Sequence, residues 1–403
     1  MEPGVKLRLL LYSYDWAPLV GGVQTITLDL AEGLHEWSRS HHNEAIDVTL
    51  ITETPAGSMD DSKLPFPVIR RPGLSALFNH IRAADVVHIA NPTLLPLALT
   101  WLLRTPTVVE HHGYQSICPN GILLYHPDTS VCPGHFMAGH YGKCVECNSA
   151  KRGSKATWQT VILTFPRRWI CKHVAVNVAV TDHVARRLSL PRTRTILHGI
   201  RITDPEPEVK SPSNGHLPQI GYVGRLVTEK GVPTLLAAAS KLRDSGLPFH
   251  LVLIGDGAER EALEHQTRRL GLENQVTFTG YLTGAAFEKA LDALNIVVMP
   301  SQWEETAGLA VMEKMMRGGV VVVSDIGGLS EVVGDAGLKF IPGDANSLYD
   351  RLRQILEKPS TIASLGSASR ARAIQYFNRD NMIHSHIALY REVLNRKTEA
   401  RDR

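Results

Sequence analysis

The sequence predicts an α/β protein built from two doubly wound parallel sheets, and three observations carry that expectation. Short apolar, strand-like runs alternate with longer stretches of helical periodicity. The alternation halts in a Pro/Ser-rich polar segment at 203–216 and restarts at Gln219. A chain of 403 residues is also longer than one hydrophobic core ordinarily serves.

Lys6–Tyr12 (KLRLLLY) reads as a buried first strand. The helical pattern after Gly21-Gly22 puts Ile26, Leu30, Leu34 and Trp37 on one face. Asp47–Ile51, Val68–Arg70 and Asp85–Ile89 read as the next strands, 93–103 as a helix and Thr107–Glu110 as a further strand. Residues 113–155 break the rhythm with turn residues and four cysteines. A helix over about 156–172, strand Val174–Val180, helix 182–189 and strand Thr195–Leu197 finish the first half. Beyond 203–216, strands are expected at Gln219–Tyr222, His250–Ile254, Gln275–Phe278, Ile296–Met299 and Val320–Val323. Helices are expected over about 231–244, up to about 270, and from near Gly308. A last helix over roughly 379–395 carries Met382, Ile387, Leu389, Tyr390 and Val393.

The expected division follows: a first domain over 1–202 with the insert 113–155, a linker at 203–216, and a second domain over 217–376. The helix of 377–403 is expected to pack back toward the first domain. Each domain would offer loops at strand C-termini to a common cleft.

Composition is that of an ordinary globular protein, 43% apolar and 21% charged. A net charge of +3 argues against general nucleic-acid binding. The charge is uneven, however. Residues 143–201 hold 12 Lys/Arg against two acids, Glu146 and Asp182. That excess suits an anionic partner or membrane surface. Leu7–Leu11 is too short for a secretory leader, and Thr93–Leu103 is short and contains Pro96, so it does not span a bilayer. A cytoplasmic protein, peripheral at the inner membrane face, is expected.

The chemistry gathers where strands end. Arg225 and Lys230, in Gly-Arg-Leu-x-x-Glu-Lys-Gly after a strand, pair a planar fork with a point charge, which suits a diphosphate. Two solvated surface cations are the plainer alternative. Gly21-Gly22 allows close backbone approach ahead of a helix, or is an ordinary turn. Glu305 and Glu313 are eight positions apart, with Gly308 between them near the expected helix start. Glu305 then lies in a loop and Glu313 inside the helix, which favours hydroxyl binding by each over an acid–base pair on one bond. Stabilisation of the helix dipole is the alternative for such an acid. His112, after strand Thr107–Glu110, is placed to touch substrate or move a proton, or is structural. His88 is assigned to structure or to lining the cleft.

Cys118, Cys132, Cys144 and Cys147 include one Cys-x-x-Cys, half of a zinc knuckle. A structural zinc, an iron–sulfur cluster, disulfides and free thiols all stay open. Cys171 reads as apolar filler. Residues 151–172 mix Lys/Arg with Trp158, Phe165 and Trp169. They read either as a segment lying on a bilayer or as a helix packed on the sheet with a solvated basic face, interrupted at Pro166.

Taken in order, several motifs resemble the retaining GT-B glycosyltransferases of glycosyltransferase family 4. They are Pro18-Leu19-Val20-Gly21-Gly22, Asp85-Val86-Val87-His88, His112-Gly113, Val223-Gly224-Arg225-Leu226 with Glu229-Lys230-Gly231, and Gly255-Asp256-Gly257. Pro300-Ser301, Glu305-x7-Glu313, Gly327-Gly328 and Glu331 complete the set. The Cys-Pro … Cys … Cys-x-x-Cys insert after His112-Gly113 is similar to a loop in a subset of that family. The resemblance covers nearly the whole chain and implies the GT-B fold, two Rossmann-like domains facing a cleft.

It also implies roles. Gly21 and Gly22 would meet the donor phosphate, with Gly224, Gly255 and Gly257 in the donor-binding turns. Arg225 and Lys230 would hold the diphosphate. Glu305, Ala307, Gly308 and Leu309 would meet the sugar and phosphate. Glu313 would bind the ribose, Tyr281 and Leu282 would frame the base, and His112 would contact the sugar. Retaining transfer of a hexosyl group from a UDP-sugar or GDP-mannose to a glycan, lipid-linked or small-molecule acceptor is expected. No cofactor is expected in catalysis, and the chain has no Asp-x-Asp to hold a metal. A GT-B nucleotide-sugar epimerase and a catalytically silent nucleotide-sugar or membrane binding module are the alternatives. The chain departs from the family pattern at Thr306-Ala307 and at Lys314.

Overall fold

The computed structural model describes residues 6–401 apart from Val20, 42–44, Ser58 and 203–216. The expected linker at 203–216, and Val20 of the first glycine motif, therefore lie outside the described residues. The elements run, in order, β1 (Leu7–Ser13), α1 (Gly22–Ser40), β2 (Ile46–Thr52), β3 (Val68–Arg70), α2 (Leu74–Ala83), β4 (Val86–Ala90), α3 (Leu94–Leu103) and β5 (Thr107–His111). The insert supplies β6 (Leu124–Tyr125), β7 (Ser130–Val131) and α4 (Tyr141–Arg152). Then come α5 (Ser154–Cys171), β8 (Val176–Ala179), α6 (Asp182–Leu188) and β9 (Thr193–Thr195).

The pattern resumes with β10 (Gln219–Val223), α7 (Val232–Asp244), β11 (His250–Ile254), α8 (Arg260–Arg269), β12 (Val276–Gly280), α9 (Gly284–Ala293) and β13 (Ile296–Met299). It closes with α10 (Leu309–Met316), β14 (Val320–Ser324), α11 (Gly327–Val333), β15 (Leu338–Phe340), α12 (Ala345–Leu356), α13 (Thr361–Tyr376) and α14 (Arg379–Arg401).

The chain divides into two compact units. One takes in the chain up to Leu123, Pro133–Gly199 and the chain from Arg379; the other comprises Leu124–Cys132 and Ile200–Asn378. The first unit holds a seven-stranded sheet in the order β3-β2-β1-β4-β5-β8-β9. The second holds a six-stranded sheet in the order β12-β11-β10-β13-β14-β15. Pairing within both sheets is parallel throughout. Both therefore have the doubly wound α/β architecture. In each the order reverses beside its first strand, at β1/β4 and at β10/β13, and strand C-termini there open a crevice.

The strands read as continuous apolar runs because helices cover both faces of such sheets. Val320–Val323 are each no more than 1% exposed, and full burial of a side chain of this size contributes roughly 1.5–3 kcal/mol. The face of α1 defined by Ile26, Leu30 and Leu34 is buried. Helix α14 lies on it: Arg379 pairs with Glu36 at 2.6 Å, and Ile383 occupies the space a side chain at Gly33 would need.

Two local expectations are corrected. The last strand of the first sheet is Thr193–Thr195, not Thr195–Leu197. Helix α5 continues through Pro166. Proline leaves the carbonyl four residues back, that of Ile162, without its amide partner.

Candidate functional site

In the second unit the site grows from the end of β10. Gly224 has φ 152° and Gly255, beyond β11, has φ 138°. A side chain at Gly255 would collide with the Gly224 carbonyl. The two turns lie against each other because Gly255 has no Cβ. Tyr222, buried beneath them, donates its hydroxyl to the Arg225 carbonyl at 2.7 Å. Burial first, then the carboxylates of Glu305 and Glu229, hold this phenol well above its ordinary pKa, against Arg225.

The Arg225 side chain is 71% exposed and lies 3.8 Å from Glu229. Lys230 behaves differently. Its Nζ lies 2.5 Å from Glu305 Oε1, with the two side chains only 15% and 7% exposed. Ser301 donates to the same oxygen at 2.6 Å, and the Trp303 ring lies under the ammonium at 5.7 Å. A lysine ammonium has three N–H donors. One held by Glu305 leaves the others for a ligand oxygen.

Glu305 lies in the loop between β13 and α10, and Glu313 is inside α10. Gly308 caps α10 in the left-handed region, φ 86°. Ala307 is buried and Leu309 begins the helix. Gly257 sits in the turn after β11, its amide held by Asp256 Oδ1 at 2.8 Å. After β12, Tyr281 projects into solvent, while Leu282 packs on a cluster that includes Val223, Ile254 and Leu294. Lys314, the unusual residue after Glu313, turns into the core and donates to the Leu291 carbonyl at 2.9 Å. Burial lowers its pKa to about 8.

In the first unit, Gly21 and Gly22 lie at the start of α1. His112 follows β5. Its amide is held by Asn91 Oδ1 at 3.1 Å, and Asn91 itself has φ 71°. A non-glycine residue in that region is strained, a feature common at ligand sites. Asn91 also lines a cavity of about 270 Å³ at the ends of β1 and β4, with Tyr14, Gln24, Thr93 and Arg167.

Beside His112 lies a polar cluster that sequence reasoning missed. The Glu110 carboxylate is buried and receives His88 Nε2 at 3.0 Å; His112 lies at 3.6 Å and His386 at 3.9 Å. His88 Nδ1 meets the Tyr390 hydroxyl at 2.7 Å, and His198 Nε2 meets His112 Nδ1 at 3.1 Å. Burial pushes the Glu110 carboxyl up, but His112, His88 and His386 together hold it well below its ordinary range. Burial pulls His198 down to about 3 and His386 to about 4. His111 points the other way, to Asn177, and burial takes it to about 4. His88/Glu110/His386 and Glu110/His112/His198 each bring three ligand-type atoms within 4.8 Å. The hydrogen bonds already made inside these triads account for that proximity.

The five cysteines are all buried. Asn120 joins two of them, accepting from Cys118 Sγ at 2.8 Å and meeting Cys147 Sγ at 3.5 Å. Cys118, Cys144 and Cys147 lie in the first unit, and Cys132 is in the segment assigned to the second. Burial pushes the Cys171 thiol up to about 12, as befits an inert filler. Among the described residues, no helix is long and apolar enough to cross a membrane.

Known proteins fit this geometry. The chain is 28% identical over 256 residues to the 2-deoxystreptamine glucosyltransferase of Streptomyces kanamyceticus, an alignment covering 59% of this chain and 66% of that one. It is 32% identical over 191 residues to the sulfoquinovosyl transferase SQD2 of Arabidopsis thaliana, covering 46% and 34%. The matches thus span about a third to two thirds of these relatives' lengths. Among solved structures, sucrose-phosphate synthase from Thermosynechococcus elongatus aligns with TM-score 0.70 at 21% identity, over 96% of this chain and 99% of that one. Anabaena Alr3699/HepE in complex with UDP and glucose aligns with TM-score 0.69 at 19% identity, over 96% and 100%. The fold is thus that of the GT-B glycosyltransferases, and residues 204–372 match the family model for Glycosyl transferases group 1.

Proposed function

We propose that this chain transfers a hexosyl group, with retention of configuration, from a nucleoside-diphosphate sugar to a hydroxyl of a glycan, lipid-linked or small-molecule acceptor. One observation carries the reading: Lys230 is locked on Glu305 beside the exposed Arg225, at the end of β10 and ahead of α10. A fixed ammonium, a mobile guanidinium and a helix N-terminus are the charges a departing diphosphate requires. The first relatives are transferases by name, which favours transfer over epimerisation or silent binding. The Anabaena structure contains UDP and glucose, which supports a uridine nucleotide as donor.

In this reading the bond from the anomeric carbon to the phosphate oxygen breaks, and the diphosphate leaves with the electron pair. Arg225 and Lys230 stabilise it. The acceptor oxygen attacks the same face, and its proton passes to the leaving phosphate. Glu305 and Glu313 grip sugar and ribose hydroxyls, and His112 contacts the sugar. The test is nucleoside diphosphate release from uridine, guanosine and adenosine diphosphate sugars, with and without membrane extract, followed by assignment of product anomeric configuration. Donor turnover that needs no acceptor would point to an epimerase or hydrolase, and a trapped covalent glycosyl-enzyme would sink the front-face step.

We also propose a structural zinc, with an iron–sulfur cluster as the second candidate, held by Cys118, Cys132, Cys144 and Cys147. Four buried cysteines, two of them meeting at the Asn120 amide side chain, support it. Bound there, the metal would pin the insert and take no part in transfer.

A further inference from the structure

Helix α5 presents two different faces. Thr157, Val161, Thr164 and Cys171 turn inward and are buried. The outward face is not the solvated basic surface that a helix packed on a sheet should show. Trp158 is 46% exposed, Ile162 59%, Leu163 41% and Trp169 46%. Neighbouring α3 adds Trp101 at 51% and Leu102 at 65%, and Trp101 meets Trp169 edge to face at 5.2 Å. Single exposed apolar residues are ordinary; six large ones on two neighbouring helices, three of them tryptophan, mark a contact surface.

Charge identifies what covers it. Neither 86–109 nor 147–181 contains a single Asp or Glu. Exposed Arg104, Lys155 and Lys172 border the apolar face. A hollow of about 760 Å³ opens beside Trp101 and Leu102, and Arg104, His173, Arg192 and Arg396 also line it. Arg192 spends its hydrogen bonds on the carbonyls of Val174 and Lys172 and meets no carboxylate there. Glu392 takes up Arg396 at 2.5 Å at the rim of the hollow, while Arg104, Lys155 and Lys172 lie on segments without an acid. Apolar side chains with interfacial tryptophans and this cationic border complement an anionic bilayer. On the α3 and α5 segments themselves, a partner copy of this chain would find no acid to meet these cations.

We infer that the α3–α5 face is a monotopic membrane-docking surface. Trp101, Trp158, Ile162 and Trp169 enter the headgroup–acyl boundary, and the basic hollow receives anionic headgroups. This stands on the surface alone and is independent of the transfer reading.

The experiment is sedimentation of the full chain with vesicles of phosphatidylcholine alone and of phosphatidylcholine with phosphatidylglycerol. Binding is expected to the anionic vesicles, weakening as salt rises. The triple substitution Trp158→Ser/Ile162→Ser/Trp169→Ser lowers partitioning about tenfold or more, because each removes a large apolar group from the bilayer. Arg104→Gln/Lys172→Gln lowers it about fivefold per charge on anionic vesicles only. All five positions are exposed, so unchanged thermal melts confirm that the variants fold. Failure of the wild-type chain to bind anionic vesicles overturns the inference, as does triple-variant binding equal to wild type. Concentration-dependent dimerisation in the absence of lipid, abolished by the triple substitution, also overturns it and makes the face a protein interface.

Discussion

Replacing Lys230 by alanine tests the proposed clamp and the site's architecture together. The pair it breaks is largely buried, with Nζ 2.5 Å from Glu305 Oε1. Loss of the cation leaves the Glu305 carboxylate with the Ser301 hydroxyl as its donor, at 2.6 Å. Orphaning one member of a buried pair costs about 3–5 kcal/mol. For a unit of this size that is a fall in melting temperature of roughly 6–20 °C. Catalysis loses a different quantity: a donor aimed at developing charge contributes about 2.7–4 kcal/mol, or 10²–10³ in kcat.

The two losses separate in the double variant Lys230→Ala/Glu305→Gln. Removing the orphaned charge should return most of the stability, while diphosphate release stays slow. Arg225→Ala is the companion, because that side chain is exposed and its loss should slow release with little change in melting. The assay is steady-state nucleoside diphosphate release, with thermal melts on the same samples. Folded Lys230→Ala and Arg225→Ala enzymes that turn over donor at the wild-type rate would refute the clamp.

Two further outcomes follow from buried groups. His111, His198 and His386 are pulled below the ordinary histidine range, to about 4, 3 and 4, chiefly by burial. The unfolded chain therefore takes up their protons first as pH falls below about 6.5, and stability declines from there toward pH 4. Glu110, held below its ordinary range, adds a loss only at still lower pH. His386→Asn should flatten the fall between pH 6.5 and 4 by about one proton in chemical denaturation, and an unchanged slope would remove His386 from the account. Elemental analysis of protein purified without chelator should find about one zinc per chain, and Cys144→Ser/Cys147→Ser should lose it together with several degrees of melting temperature; a metal-free wild-type chain that melts identically with chelator would end the metal proposal.

The scaffold was legible wherever its signal is local. Val68–Arg70, His250–Ile254 and Ile296–Met299 occur at the expected residues; Ile296–Met299 is apolar and buried throughout, as a parallel strand covered on both faces must be. Gly308 marked the start of α10 for a local reason too, a left-handed cap. The Glu110 cluster was not legible. Its members, His88, Glu110, His198, His386 and Tyr390, are scattered along the chain, and the His88–Tyr390 bond spans 302 positions. Periodicity reports which face of one element is apolar, not which elements meet. The outer face of α5 failed differently: Trp158, Ile162 and Trp169 carry a helical repeat, but two apolar stripes on one helix look the same in sequence whether packed or exposed.

The departures at Thr306-Ala307 and Lys314 bear on which part of the site evolution can vary. The loop that carries Glu305 is held by backbone. The Gly328 amide donates to the Glu305 carbonyl at 2.7 Å, and a side chain at Gly328 would strike the Thr306 carbonyl. Gly327 has φ 60° and lies as tightly against residues 304 and 305. The carboxylate is then fixed by Lys230 and Ser301, neither of which depends on side chains at 306 or 307. Lys314, for its part, spends its charge on a buried carbonyl of α9. The Glu305 carboxylate of the proposed clamp and the Lys314 ammonium are thus held by separate contacts.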